Sequence, residues 1–381
     1  MYREPTYRPA RAVAGMVQQH FARHFDRARR RGEVALAPVP DAAAIEAVID
    51  AAFWASFRPE EGRFPKISLA FLPPELARYP LIFQHRLPIT VDILTKLAPA
   101  VERPGIHLGV WQQDGDLYVW GATRKIPSLG FVLEDVEPGL LVIKHRRIEG
   151  YGKFANVAIL KGEQTKIVDE TAVSLPDCPD LLKSLRAFTS PDTWDDSVNV
   201  LVQLAASMRA HGQGGTLLVV PSGTGRWEDS IVHPISYSVA PSFSQLAALL
   251  KSRPTEEEDE NNWLARLNSG VEMVAGLTAV DGATIISDQF DVMAFGAKIK
   301  RAAEQHQVEQ IMLTEPIVGN QAVVVPPVQQ GGTRHLSAAQ FIHDQRDALA
   351  LVASQDGRFT VLAWSPCEQM VHAHRVDVLL M

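Results

Sequence analysis

Apolar positions follow two different rhythms along this chain, and the change falls roughly midway. From His107 the runs are short, aromatic-rich and separated by turn residues. HLGVWQQDGDLYVWGATR carries Gln112-Gln113-Asp114-Gly115-Asp116 between two such runs, a hairpin signature, because Asp-Gly readily supplies the tight turn that right-twisted strands require. GFVLEDVEPGLLVIKHRR predicts a second pair turned at Glu137-Pro138-Gly139, and VAILKGEQTKIV a third turned near Lys161-Gly162. Together they predict a mostly antiparallel sheet with helices to one side, closing near residue 175. Ahead of it, Arg23, Arg27, Arg29, Arg30 and Arg31 surround His20, Phe21 and Phe25, which predicts a solvated amphipathic helix. Asp41 then caps the Ala-rich run AAAIEAVIDAAFWASF as a second helix ending before Arg58-Pro59. The Pro-rich LPPELARYPL predicts little regular structure before a short helix near 89–98.

In the second half, helical and strand patterns interleave. DSVNVLVQLAASMRAHG places Leu201, Leu204 and Met208 on one helical face and ends at Gly212. TLLVVP predicts a buried strand, and SFSQLAALLKS a helix capped by Ser242 or Ser244. The acidic TEEEDENN predicts an exposed loop before the helical WLARLNSGVEMVAGLTAV. ATIIS and VMAFGAKI predict strands joined through Asp288-Gln289-Phe290-Asp291. SAAQFIHDQRDA predicts a helix, and LALVAS and FTVLAW two strands around Gln355-Asp356-Gly357. The fold class is therefore α/β: a mixed-sheet C-terminal domain preceded by an α+β domain. The boundary is expected at about 190–197, giving domains 1–195 and 196–381.

Size agrees with that division, since 381 residues exceed one ordinary core. A net charge of −7 argues against a general nucleic-acid binder. Cys178 and Cys367, far apart, fit no metal-ligand spacing; they suit a reducing compartment or indifference to redox, and one long-range disulfide stays open. The opening MYREPTYRPARAV has no apolar stretch behind its charges, and no run approaches the roughly 18 apolar residues of a membrane span. A cytoplasmic protein without membrane partners is expected.

Two clusters carry residues suited to chemistry. Asp281-Gly282-Ala283 stands where a helical pattern gives way to a strand. An acid there, beside two small residues, suits holding a divalent cation or deprotonating a hydroxyl. The same Asp-Gly composition also makes an ordinary turn. Gly331-Gly332-Thr333-Arg334-His335-Leu336-Ser337 precedes a helix. Its glycines free the backbone, and the N–H groups that follow favour an anion. Thr333 and Ser337 add hydroxyls, Arg334 a planar fork for phosphate, and His335 a titratable donor or metal ligand. The plain alternative is a capped helix with a surface Arg and a packed His. Each cluster sits at a strand–helix junction, so both can meet at one sheet edge, as phosphoryl transfer requires.

VAGLTAVDGATIISDQFDVMAFGAKI followed by GGTRHLSAAQFIHDQRDALALVASQDGRFTVL resembles the diadenylate cyclase domain of the DNA-integrity scanning protein and the membrane-bound cyclases. That family is marked by a DGA motif and a GTRH motif, and both occur here in order. QGGTLLVVPSG and YSVAPSFSQLAAL resemble earlier segments of the domain, so the likeness covers nearly all of the second half. It implies that Asp281 is the catalytic acid and a metal ligand, with Gly282 and Ala283 close to the nucleotide. Arg334 and His335 would act on the triphosphate, His335 also being a candidate metal ligand, while Gly332, Thr333, Ser337 and Ser354 would bind it. It also implies Mg²⁺ or Mn²⁺, ATP as substrate, and self-association. Two domains would face each other, each 3′-hydroxyl attacking the other's α-phosphate to release pyrophosphate and cyclic di-AMP. The N-terminal half resembles the sensor-type (DACNV-like) domains sometimes fused ahead of such cyclases, and shows no ligand site of its own.

The chain departs from that family at Leu336, where a second Arg is common, and in the rebuilt PIVGNQAVVVPPVQQ. A missing cation weakens charge stabilisation, which leaves two other readings: a nucleotide sensor with little turnover, or an enzyme of this fold making another nucleotide. Other signals carry less. His372-Ala373-His374 reads as surface or core histidines, SGTGRWEDS as a turn lacking the Lys-Ser/Thr of a phosphate loop, and His145-Arg146-Arg147 as an exposed strand rim.

Overall fold

The computed structural model describes residues 5–60, 62–78, 80–148, 154–169, 196–252 and 257–380, with backbone only for 196–199 and 257–261. The chain divides into two compact units, Met1–Asp169 and Glu170–Leu380. Residues 170–195, which hold Cys178 and most of the boundary expected from sequence, lie outside the described residues.

The first unit contains strands β1 (Ser68–Phe71), β2 (Leu81–Pro88), β3 (His107–Gln113), β4 (Asp116–Thr123), β5 (Phe131–Glu137), β6 (Leu140–Arg146), β7 (Phe154–Lys161) and β8 (Gln164–Ile167). They form one sheet in the order β2-β4-β3-β1-β5-β6-β7-β8. The three hairpins expected from turn chemistry are present. Asp114 and Gly115 both take positive φ, 54° and 83°, the turn that matches the strand twist. The sheet is mixed, because β1 runs parallel to β3 and antiparallel to β5. β1 escapes a periodicity reading since all four of its residues are buried, leaving no alternation. β2, within and after the Pro-rich stretch, is mostly exposed at the sheet edge and likewise shows no apolar face.

Helices α1 (Arg8–Arg30), α2 (Ala42–Ser56) and α3 (Val91–Leu97) supply the cover. Asp41 accepts from the Ala44 N–H at 2.7 Å, a cap that contributes about 1 kcal/mol. Ala10, Val13, Ala14, Val17 and Phe21 form a buried stripe on α1 at helical spacing. They join Ile45, Val48 and Ile49 of α2 and the strand residues Leu69, Phe71, Phe131, Leu133, Leu141 and Ile143 in one core. The intervening Ala70, Leu72, Trp120 and Val132 belong to a second, smaller cluster, as the twofold strand period dictates. His145 follows Leu141 and Ile143 onto the helix-facing side and is 5% exposed. This corrects the expectation of an exposed rim. Arg146 and Arg147 are half-buried, donating to the carbonyls of Ile126 and Phe154.

The second unit contains β9 (Gly215–Val220), β10 (Tyr237–Phe243), β11 (Ala283–Ser287), β12 (Val292–Ala297), β13 (Ile311–Thr314), β14 (Val323–Val325), β15 (Leu349–Ala353), β16 (Phe359–Ser365) and β17 (Met370–Arg375). Their order is β10-β12-β11-β9-β15-β16-β17-β13-β14. β11 is parallel to β9, and β13 to β17; the remaining pairs are antiparallel. The helices are α4 (Asp196–Ala210), α5 (Gln245–Lys251), α6 (Glu257–Leu277) and α7 (Thr333–Asp344). Ala338, Ala339, Phe341 and Ile342 of α7 pack on Leu218, Val220, Ala350, Val352 and Leu362. α4 and α6 pack on each other, and none of their described side chains joins that cluster.

Three expectations are corrected. Acidic residues from Glu257 onward begin α6 rather than a loop, since a helix N-terminus favours negative charge. Ser242 belongs to β10, and Ser244 stands at the start of α5 without a side-chain capping bond. Part of the segment taken as a rebuilt loop forms β14.

His372 and His374 are core residues of β17. Their Nε2 and Nδ1 lie 3.0 and 2.6 Å from the Thr314 hydroxyl. One hydroxyl has a single proton, so one ring accepts from Thr314 while the other donates to it. Burial pushes His372 down to about 4, and burial followed by the neighbouring His372 pushes His374 down to about 3. Both are bases with lowered native pKa, so below pH ~6.5 the unfolded chain binds more protons. Their contribution is complete above that pH and is lost as pH falls toward 4, by about 1.4 kcal/mol per pH unit per histidine. Denaturant midpoints followed by circular dichroism should fall steeply below pH ~6.5, with a shallower acid limb in His374→Gln.

Candidate functional site

β9 and β11 start side by side, Thr216 opposite Ala283, and β15 ends beside them with Ala353 opposite Gly215. This arrangement gathers Gly214, Asp281, Gly282 and Ser354 at one edge of the sheet. Arg334, in the first turn of α7, reaches the same edge: a Cβ built on Gly214 would stand 2.9 Å from its Nη1 and 3.3 Å from the Ala353 carbonyl oxygen. The two motifs of the sequence therefore converge here.

The Asp281 side chain is 88% exposed. Its carboxylate accepts from Lys298 Nζ, and this hydrogen bond and charge, with a smaller contribution from Arg334, hold its pKa below the usual carboxylate value. The acid is thus ionised and exposed, with two cations near it. Gly282 has φ 115°, and a Cβ there would lie 2.5 Å from the Gly296 carbonyl carbon. Only glycine allows this crossing of two backbones. Across it, Tyr237 stacks on Phe295 with ring centroids 4.8 Å apart and planes 8° from parallel.

On α7, Gly332 precedes the first turn, and no side chain caps it. Gly332 and Thr333 are exposed, and Arg334 and Ser337 half-buried. The leading N–H groups of such a helix have no partner within it, which makes an anion-receptive end beside a guanidinium. Ser354 hydrogen-bonds the Asp356 carboxylate, which also pairs with Arg358 at 3.3 Å.

Two expected site residues face elsewhere. His335 is 3% exposed, with Nε2 3.3 Å from the Thr360 hydroxyl and its ring against Gly331. Burial pushes its pKa down to about 4, against the opposing charge of Asp356. These surroundings suit a residue that positions the Gly331–Arg334 turn, not one that faces a metal. The Ala283 methyl sits in the core with Ile285, so its only reach toward a ligand is through backbone. Leu336 also packs on that core, which explains a leucine at this position by packing. Sequence reading missed Lys298, Tyr237 and Gly214. Lys298 and Tyr237 stand in no motif, and nothing local tells which strand end they meet.

Two of the cavities among the described residues lie away from this edge. One of about 390 Å³ is lined by Val220, Pro221, Asp288, Arg346, Leu349 and Trp364, at the other end of β9; six strand residues separate the ends by roughly 16 Å. It adjoins the SGTGRWEDS turn, where Arg226 pairs with Asp347. The other, about 490 Å³ in the first unit, is lined by Asp50, Arg58, Thr90, Asp92, Asp116 and Tyr118 among others. Asp281 itself stands exposed to solvent.

Residues 34–124 match the family described as "Probable sensor domain DACNV", which supports a sensor-type domain in the N-terminal half. The matched segment spans α2 to β4, while the compact unit also includes α1 and β5–β8. No curated protein matches the chain. Among solved structures, the crystal structure of a hypothetical membrane spanning protein from Bacillus cereus is similar at 16% identity, over 50% of this chain and 68% of that chain, with a TM-score of 0.27. Among the described residues of this protein, no helix is long and apolar enough to cross a membrane.

Proposed function

We propose that the second unit is a diadenylate cyclase domain that joins two ATP molecules into cyclic di-AMP. The observation that carries this reading is the convergence of the Asp281 carboxylate with Arg334 and the start of α7 at one sheet edge. An acid placed beside a phosphate-receptive helix end is what hydroxyl attack on a phosphoryl group needs. Asp281, ionised by its neighbours, takes the role of accepting the 3′-hydroxyl proton or orienting that hydroxyl. Arg334 and the N–H groups of Thr333 and Arg334 take the polyphosphate. Lys298 adds a second cation beside Asp281, available as charge builds when pyrophosphate departs.

A divalent cation fits the donor set. Mg²⁺ commonly uses one or two carboxylates and completes its shell with phosphate oxygens and water, and Asp281 offers one accessible carboxylate. Bound there, Mg²⁺ or Mn²⁺ supplies neutralisation of the polyphosphate charge. The exposure of Asp281 favours catalysis between two facing copies: one copy brings acid and phosphate cradle, and a second must bring the attacking nucleotide and exclude water.

Leu336 supports the second reading, a nucleotide sensor with little turnover. Its side chain packs on the core, so the helix start carries Arg334 without a second guanidinium at that position. Incubating purified full-length protein with ATP and Mg²⁺ or Mn²⁺, with products read by mass spectrometry, separates the two. Cyclic di-AMP is the expected product. ATP or cyclic di-AMP binding without product, with either metal, establishes the sensor.

A further inference from the structure

In the first unit, α1 and β6 bring three imidazoles together. His20 and His24 stand one helical turn apart in HFARH, on the face that packs against the sheet. His145 projects from the helix-facing side of β6. Ring centroids lie 4.3 Å apart for His20 and His24, 5.5 Å for His20 and His145, and 5.1 Å for His24 and His145. One nitrogen from each can be chosen so that all lie within 4.8 Å of one another, and no other three His, Cys, Asp or Glu among the described residues do so.

Packing alone leaves this cluster poorly explained. His20 and His145 are each 5% exposed, and the Nε2 of each is buried without a hydrogen-bond partner. A buried polar atom left unsatisfied is costly, and two on neighbouring rings call for a partner. Meanwhile His145 Nδ1 lies 3.2 Å from the Arg146 carbonyl oxygen. Donation to that carbonyl fixes the tautomer and leaves Nε2 as a bare lone pair, the arrangement usual behind metal-bound histidine.

We propose that His20, His24 and His145 form a binding site for a divalent transition-metal ion of the zinc class, clamping α1 to the sheet. Three neutral imidazoles with an i, i+4 pair on a helix suit a tetrahedral ion and leave its fourth position open to water or a small anion. Nitrogens about 2.0–2.1 Å from such an ion stand roughly 3.3 Å apart, so ring rotations of about an ångström close the site. His24, half-buried, gives the ion a way in. Arg23 beside His20 and Arg147 beside His145 oppose a cation, which makes the site weaker than a structural zinc centre and suited to reversible occupancy. Unit 1 carries the sensor-family match, and its two ligand-bearing elements lie outside the matched segment. The proposal stands independently of any activity in the second unit.

The test is titration of chelator-stripped full-length protein with Co²⁺ and then Zn²⁺. One equivalent per chain is expected, with the visible absorption of a tetrahedral cobalt site that Zn²⁺ displaces. His24→Ala should weaken binding at least tenfold, whereas His85→Ala, on exposed β2, should leave it unchanged. X-ray absorption of the zinc-loaded wild type, which needs no variant, should show three imidazole donors at about 2.0 Å. No saturable uptake, undiminished affinity in His24→Ala, loss of uptake in His85→Ala, or a shell of thiolate or oxygen donors alone would each overturn the site.

Discussion

Replacing Asp281 by Asn is expected to lower cyclic di-AMP formation by about 10²–10⁴-fold, the range that a positioned acid or base contributes. The substitution keeps the shape and removes the charge that faces Lys298 and the Arg334 end of α7. Because the side chain is 88% exposed, its ion pair is a surface one and its loss leaves the fold intact. The variant should therefore unfold at the wild-type temperature and still bind ATP, with product formation the quantity that collapses. Initial rates by mass spectrometry, beside calorimetry and nucleotide binding, check all three. Equal rates in the two proteins would remove Asp281 from the chemistry.

The second large effect concerns stability. Gly282→Ala puts a methyl group 2.5 Å from the Gly296 carbonyl carbon, at a φ of 115° that side chains do not tolerate. Neither obstacle is the end of a flexible side chain; one is backbone and the other is local conformation. The crossing of β11 and β12 must open, at a cost of about 3 kcal/mol or more, or roughly 6–12 °C in the unfolding temperature of a unit this size. Gly332→Ala is the matched control, since a Cβ there meets nothing within 4 Å. Its unfolding temperature should stay within about 2 °C of wild type. If Gly282→Ala were as stable as that control, the close backbone crossing would be refuted.

The sensor-family match and the proposed metal site bear on the same unit by different routes. The match covers the sheet half that ends at β4, whereas the three histidines tie α1 to β6. An ion bound there would act on the docking of a helix.

Much of this protein is written in local pattern. Turn chemistry at Asp114-Gly115, Glu137-Pro138-Gly139 and Lys161-Gly162 determined three hairpins, because φ at those positions depends on the residue and its immediate neighbours. Helical spacing determined α4, α6 and α7 for the same reason. Asp281 and Arg334 were legible as chemistry from their motifs. What local pattern missed shares one feature: its signal lies between segments far apart in the chain. β1 is central and buried on both faces, so nothing alternates; β13 and β17 lie side by side only because the sheet brings their edges together. Burial of His335 against Thr360 and of Leu336 on the α7 core depends on which face of the helix meets the sheet. His145 read as a rim residue until its place beyond Leu141 and Ile143 put it under α1. His20 and His24 are four residues apart in the sequence, but a third imidazole joins them only because His145 of β6 packs beside that helix. Residue identity determined which groups can bind a phosphate or a metal; long-range packing, which sets burial and neighbours, decided which of them meet.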